Sequence, residues 1–183
     1  MKAEYALSHR SALYRITFEA DKPVYIIINS RNGSIHVGEN FISGHQQLSD
    51  NTNVYVYIEP QEKPVSTGVL ENGVIEASKD NANGTNACAA WRFADGTTTI
   101  NLRYGISFIS EEQAEKNLRS ELGDYDINKL AETGRRIWNE ALGRIKVEGG
   151  TENDKTVLYS SFYRTFERPI CMSAVSYTHL TLP

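Results

Sequence analysis

Four carboxylates gather late in the chain: Glu148, Glu152, Asp154 and Glu167. Glycoside cleavage needs such groups in pairs, one as general acid and one as base, about 6.5–9.5 Å apart when the reaction inverts. Spacing in the sequence does not set that separation, and beside helical segments these four read as solvated or capping charges. An aromatic series, Tyr159, Phe162, Tyr163 and Phe166, overlaps them. Its helical spacing suits a packed stripe first and a sugar-stacking platform second. Trp138 reads as core. Trp91, in a strand, could stack on a sugar only by facing outward. His9, His36 and His45 have no second His or Cys at ligand spacing. Asp80, Asn81, Asn83 and Gly84 echo a calcium loop without its required spacing, and read as a polar turn. Asn32-Gly33-Ser34 and Asn83-Gly84-Thr85 match the glycosylation triplet, and both are explained as turns. There is no phosphate-binding glycine loop, no Ser/His/Asp order and no zinc pattern. No residue is therefore assigned a catalytic or metal-binding role, and the substrate-binding residues stay unassigned.

Composition narrows the classes further. The chain has 183 residues, 40% hydrophobic and 23% charged, with ten tyrosines and six phenylalanines to build a core. A net charge of −4 and a pI near 5.6 give no electrostatic reason to bind nucleic acid. No stretch approaches the roughly 20 apolar residues of a membrane span. The start, Met1 to Tyr5, lacks the apolar stretch of a signal peptide. Cys88 and Cys171 are far apart and read as buried thiols rather than a disulfide or metal pair.

The elements that must position any site change character near Ser110. Ser11 to Phe18 alternates apolar and polar residues, as a half-buried strand does. Val24 to Ile28 is a continuous apolar run, which predicts a strand buried on both faces. Arg31 to Ser34 predicts a hairpin turn leading into Ile35-His36-Val37, because Asn-Gly tolerates positive φ. Asn53 to Glu59 is a further strand, Glu71-Asn72-Gly73 a second turn, and Val74 to Ser78 a strand after it. Asn81 to Thr85 reads as a loop. Ala87 to Phe93 and Thr97 to Ile109 complete the series around the turn Ala94-Asp95-Gly96. Short strands with frequent turns predict an antiparallel sandwich.

After Ser110 the period becomes helical. Ser110 to Gln113 predicts a capping box. Ala114, Leu118 and Leu122 form a narrow apolar stripe that ends at Gly123. Asp126 is placed to cap a helix whose apolar face is Ile127, Leu130, Ala131, Trp138, Ala141, Leu142 and Ile145. Thr151 and Asp154 start a third helix, ended by Pro169. The segment 174–183, with no charge and no helical period, resembles a translated sequencing adapter. It is set aside together with His179. The expected organisation is a β-sandwich over 1–109, N-terminally incomplete, linker helices over 110–150, the first helix of a truncated helical domain over 151–173, and the non-native tail.

Particular runs carry a family resemblance. Ile100 to Ser110, then Glu112-Gln113-Ala114 and Asn117-Leu118, resemble the end of the N-terminal domain of glycoside hydrolase family 92. Ile137-Trp138-Asn139, Leu142-Gly143, Ile145 to Gly150 and Tyr159 to Phe166, closed by Pro169, follow in the family's order. The resemblance is strong from about Thr97 to Pro169 and weaker from Ala12 to Phe93. It implies a β-sandwich, linker helices and an (α/α)6 barrel. It also implies an exo-acting, calcium-dependent, inverting α-mannosidase acting on mannose-containing glycans outside the cytoplasm. The family's catalytic carboxylates and calcium ligands fall beyond residue 173, so none is carried onto this chain, which is expected to be an inactive scaffold fragment. The rival readings are another sandwich-plus-barrel enzyme, such as a sugar phosphorylase, and a non-catalytic carbohydrate-binding sandwich.

Overall fold

The computed structural model describes residues 1–19, 22–49 and 52–167. Nine strands come first: β1 (Lys2–Leu7), β2 (Ser11–Thr17), β3 (Tyr25–Val37), β4 (Ile42–Ser49), β5 (Thr52–Pro60), β6 (Ser66–Glu71), β7 (Val74–Glu76), β8 (Asn81–Arg92) and β9 (Thr99–Ser107). Helices α1 (Glu111–Glu121), α2 (Ile127–Leu142) and α3 (Glu152–Arg164) follow, with a 3-10 turn over Thr165–Glu167. The strands form one antiparallel ladder in the order β1-β2-β9-β5-β4-β3-β8-β6-β7. The ladder curls, so that β2 and β3, with three strands between them, line one cavity through Tyr14, Ile16, Ile26 and Ile28. Its main core joins Val24, Ile26, Ile35, Ile42, Ile58, Trp91, Phe93, Ile100 and Leu102. Trp91 is fully buried there.

Three expectations about the sheet need correction. The Asn32-Gly33 step is not a hairpin turn, because β3 continues through it and pairs with β8 from Tyr25↔Arg92 to His36↔Asn81. Asn32 has φ of 49° and kinks the strand without ending it. Gly33 serves close approach instead: a Cβ there would lie 1.9 Å from the His45 carbonyl oxygen on β4. It follows that Asn81 to Thr85 is not a loop, since it is the part of β8 that pairs with the far half of β3. The run Val24 to Ile28 is buried on one face only. Val24 and Ile26 are buried, whereas Tyr25 and Ile27 are 47% and 57% exposed. The Asn72-Gly73 step does turn the chain, with φ of 48° and 80°, and closes the β6–β7 hairpin.

Helix α1 lies on the sheet because one face of it is apolar and one strand position beneath it is glycine. Ala114, Leu118 and Leu122 are buried, the first two against Tyr57 of β5. A Cβ on Gly105 of β9 would meet the Ala114 carbonyl oxygen at 2.5 Å and the Leu118 Cβ at 2.7 Å. The predicted capping box is half made. The Ser110 hydroxyl accepts from the Gln113 backbone N–H at 3.2 Å, but the Gln113 amide turns away and donates to Asn117. Asp126 caps α2 as expected, accepting from the N–H groups of Asn128 and Lys129.

The start of α2 packs into the sheet's second core, and farther along the helix shares an open cleft with Tyr5, Ala6 and Leu7 of β1. Ile127, Leu130 and Ala131 pack on Ala6 and Leu13. Farther along, Trp138 is not the core residue its spacing suggested. It is 37% exposed, with the rings of Tyr163 and Phe166 4.5 and 5.6 Å away. Helix α3 begins in a complete Thr151–Asp154 capping box and buries no residue. Its aromatic stripe packs on α2 from one side, so the stripe is not enclosed as a core would be. Pro169 lies outside the described residues.

Candidate functional site

The three late carboxylates whose side chains are described, Glu148, Glu152 and Asp154, do not converge. Asp154 is spent on capping: one of its oxygens accepts from the Thr151 N–H at 2.8 Å and from the Thr151 hydroxyl at 2.7 Å. Those bonds, the backbone one foremost, hold its carboxyl below the usual range. Glu152 pairs with Lys155 on the helix surface at 2.9 Å. Glu148 is exposed on the connector, and the side chain of Glu167 lies outside the described ones. Among the described residues, these carboxylates supply no acid facing a base across a substrate-sized gap.

The other candidates are likewise dispersed. His45 Nδ1 meets the Ser34 hydroxyl at 2.7 Å, His36 Nδ1 meets the Asn81 side-chain oxygen at 3.1 Å, and His9 is exposed. Asp80 accepts from the Asn81 amide at 2.6 Å rather than facing a shared cation position. Asn32 and Asn83 are both exposed, on neighbouring strands. Trp91 faces inward and offers no platform. Cys88 is half-buried, and burial pushes its thiol up against the opposing hydrogen bond from Asn29. Cys171 and His179 lie outside the described residues.

A cavity of about 570 Å³ opens between the curled halves of the sheet, lined among others by Tyr14, Phe18, Ile28, Ser34, His45 and Tyr104. Burial, with Tyr14 as neighbour, pushes the Tyr104 phenol up to about 12. The lining is mainly apolar, with few polar groups, so it offers an apolar body space but no proton-transfer pair.

The strongest convergence of charge lies where sheet meets helix. Glu59, 7% exposed at the end of β5, accepts from Arg103 of β9 at 2.7 Å and from Arg119 of α1 at 2.9 Å, with a second, shorter contact to Arg119. Arg103 also donates to the carbonyl of Leu122, the residue that ends α1, at 2.9 Å, and its guanidinium lies 4.7 Å from the Tyr125 ring centre. The Tyr57 phenol is pushed well above its ordinary range by burial and then by Glu59 and Glu115. Around this cluster Asn117 donates to the Ile106 carbonyl, Ser43 donates to Glu111, and Glu121 accepts from the Arg10 N–H. Sequence reasoning passed over it. Its one signal was charge at sheet-core positions, Glu59 closing an apolar strand and Arg103 between Leu102 and Tyr104.

Comparison with known proteins follows the same seam. Residues 1–107 match the glycosyl hydrolase family 92 N-terminal domain, and residues 113–180 match the glycosyl hydrolase family 92 catalytic domain. A secreted glycosidase of Arthroderma benhamiae is 32% identical over 80 residues, covering 42% of this chain and 10% of that protein. A solved family 92 inverting mannosidase of Bacteroides thetaiotaomicron superposes with a TM-score of 0.80 at 25% identity, over 89% of this chain and 24% of that one. A second mannosidase of that organism has the same fold, with a TM-score of 0.75 at 20% identity, over 88% of this chain and 24% of that one. The chain thus spans about a quarter of the solved structures it matches.

Proposed function

This chain belongs to glycosyl hydrolase family 92, and from that premise we propose that the protein containing it is an exo-acting α-mannosidase that hydrolyses terminal α-mannosides of glycans with inversion. The single observation that carries the reading is the superposition on an inverting mannosidase across both sheet and helices. Within that enzyme the chain supplies scaffold, a sheet domain that seats the catalytic domain and helps wall its site. The secreted relative supports work outside the cytoplasm. Among the described residues no helix is long and apolar enough to cross a membrane.

Calcium belongs to the proposal, but the described residues do not fit a calcium site. Among them no three His, Cys, Asp or Glu side chains gather as a cation would require. No residue here is assigned to the ion, and no step is routed through it. Inversion asks for an acid at the leaving oxygen and a base on water at the opposite face. This reading places both carboxylates in the remainder of the protein. The test is to follow hydrolysis of an α-linked mannose disaccharide by the full-length protein with proton NMR, with calcium and with chelator. β-Mannose as first product, lost with chelator, is the expected result. Cleavage that depends on phosphate and yields a sugar phosphate would overturn the reading.

A further inference from the structure

The polar cluster at the seam exceeds what is needed to hold α1 on the sheet. Ala114, Leu118 and Leu122 are already buried there. Apolar contact is non-directional, whereas a buried charge cluster satisfies its members in few geometries. Arg103 divides its guanidinium between Glu59 on the sheet and the Leu122 carbonyl that ends α1, and lies over Tyr125 just before α2. One side chain thus touches the sheet, the end of the first helix and the approach to the second. Arg119, its side chain 46% exposed, completes the triangle from within α1 at the rim of the cluster. Taking charges out of water costs desolvation that an apolar filling of the same space would avoid. The two family matches also meet at this place, ending at residue 107 and resuming at 113.

We propose that Glu59, Arg103 and Arg119 form a joint that sets the direction in which the helical segment leaves the sheet, and so positions the catalytic domain against it. They are positioning residues and touch no reacting atom. The consequence for turnover rests on the mannosidase reading; the geometric claim does not.

The test separates a joint from mere glue. Spin labels are placed on this chain at Asn86→Cys of β8 and Glu132→Cys of α2, both exposed, with Cys88→Ser and Cys171→Ser. The distance distribution between them is measured for the labelled parent, for Glu59→Gln, and for Glu59→Met combined with Arg103→Met and Arg119→Met. Glu59→Gln should lower the melting temperature and widen the distribution at least twofold. The triple apolar variant should recover the melting temperature and keep the distribution wide. In the full-length protein it should lower kcat about tenfold or more with KM within twofold, since small misplacements cost rate. A narrow, parent-like distribution in the triple variant would reduce the cluster to glue and overturn the proposal. If the triple variant does not fold, Arg119→Lys keeps the charge without the fork. It should widen the distribution by itself, and a narrow one there overturns the proposal equally. A full-length protein inactive on mannosides would remove the mannosidase reading and leave the distance result standing.

Discussion

The sheet domain and the last two helices follow the same patterning rules to different ends. In the sheet, alternating residues of β3, β5, β8 and β9 meet in one core, and Trp91, Ile42 and Ile100 are fully buried. In α2 and α3 the apolar residues keep their helical spacing, yet beyond Ile127 none of them is buried among the described residues. Ile137 is 51% exposed, and Leu158, Tyr163 and Phe166 are similarly open. Periodicity tells which face of a helix is apolar; it does not tell whether a partner is present to cover that face. Helix α1 stands between the two regimes, closed over Gly105 and pinned by charge.

The sharpest way to break this comparison is to remove the largest fully buried side chain among the described residues. Trp91→Ala should destabilise the sheet by about 3–5 kcal/mol, the range for a core aromatic, read as a fall in denaturant midpoint at unchanged m. Trp138→Ala should cost less, about 1 kcal/mol, because the ring is already part-exposed and its contacts are two aromatic neighbours. Equal losses at the two tryptophans would show that the helices hold a core of their own.

An alkaline titration sharpens the same contrast from the sheet side. The Tyr104 phenol is raised to about 12 by burial, whereas an unfolded tyrosine titrates near 10. A group whose folded pKa is raised contributes stability that is complete below the unfolded pKa and is lost as pH rises through the folded one. Stability should therefore fall between about pH 10 and 12, by about 2–3 kcal/mol from this group. Tyr57 adds loss of the same sign, since its phenol is also raised. Tyr104→Phe should flatten part of that slope and leave stability at pH 7 nearly unchanged. An unaltered slope would mean that Tyr104 is not the buried phenol.

Smaller in energy but finer in resolution is hydrogen exchange. Amides of β3, β8 and β9 should exchange through global unfolding, and those of α3 through local opening, with α1 grouped with the sheet. Limited proteolysis should cut first after Gly149. Uniform protection from β3 through α3 would erase the distinction between the regions.

What the sequence made legible was local chemistry. The turn at Asn72-Gly73, the caps at Asp126 and Thr151, and the stripe Ala114-Leu118-Leu122 all rest on residues within one turn of each other. Asn32-Gly33 misled because the same dipeptide here serves a kink and a close strand approach, which depend on His45, twelve residues beyond Gly33 in sequence and adjacent only through β4. Strands β1, β4 and β6 escaped because Ala6, Gly44, Gln46 and Gly68 break the alternation that marks a strand. The Glu59 cluster was invisible for a different reason. Its members lie 44 and 60 residues apart, and no spacing rule links a strand end, a strand centre and a helix. Of a catalytic site nothing was assigned; three of the carboxylates that invited the idea are a cap, a surface pair and an exposed connector residue, and the side chain of Glu167 lies outside the described ones.

The claim that this chain is scaffold is tested most directly by its own activity. The purified chain is incubated with an α-linked mannose disaccharide and calcium, and free mannose is followed alongside the full-length protein. The account predicts no release from the chain and turnover by the full-length protein, because no described carboxylates face each other across a substrate. Release by the chain alone, abolished by replacing any one of Glu148, Glu152, Asp154 or Glu167, would contradict it.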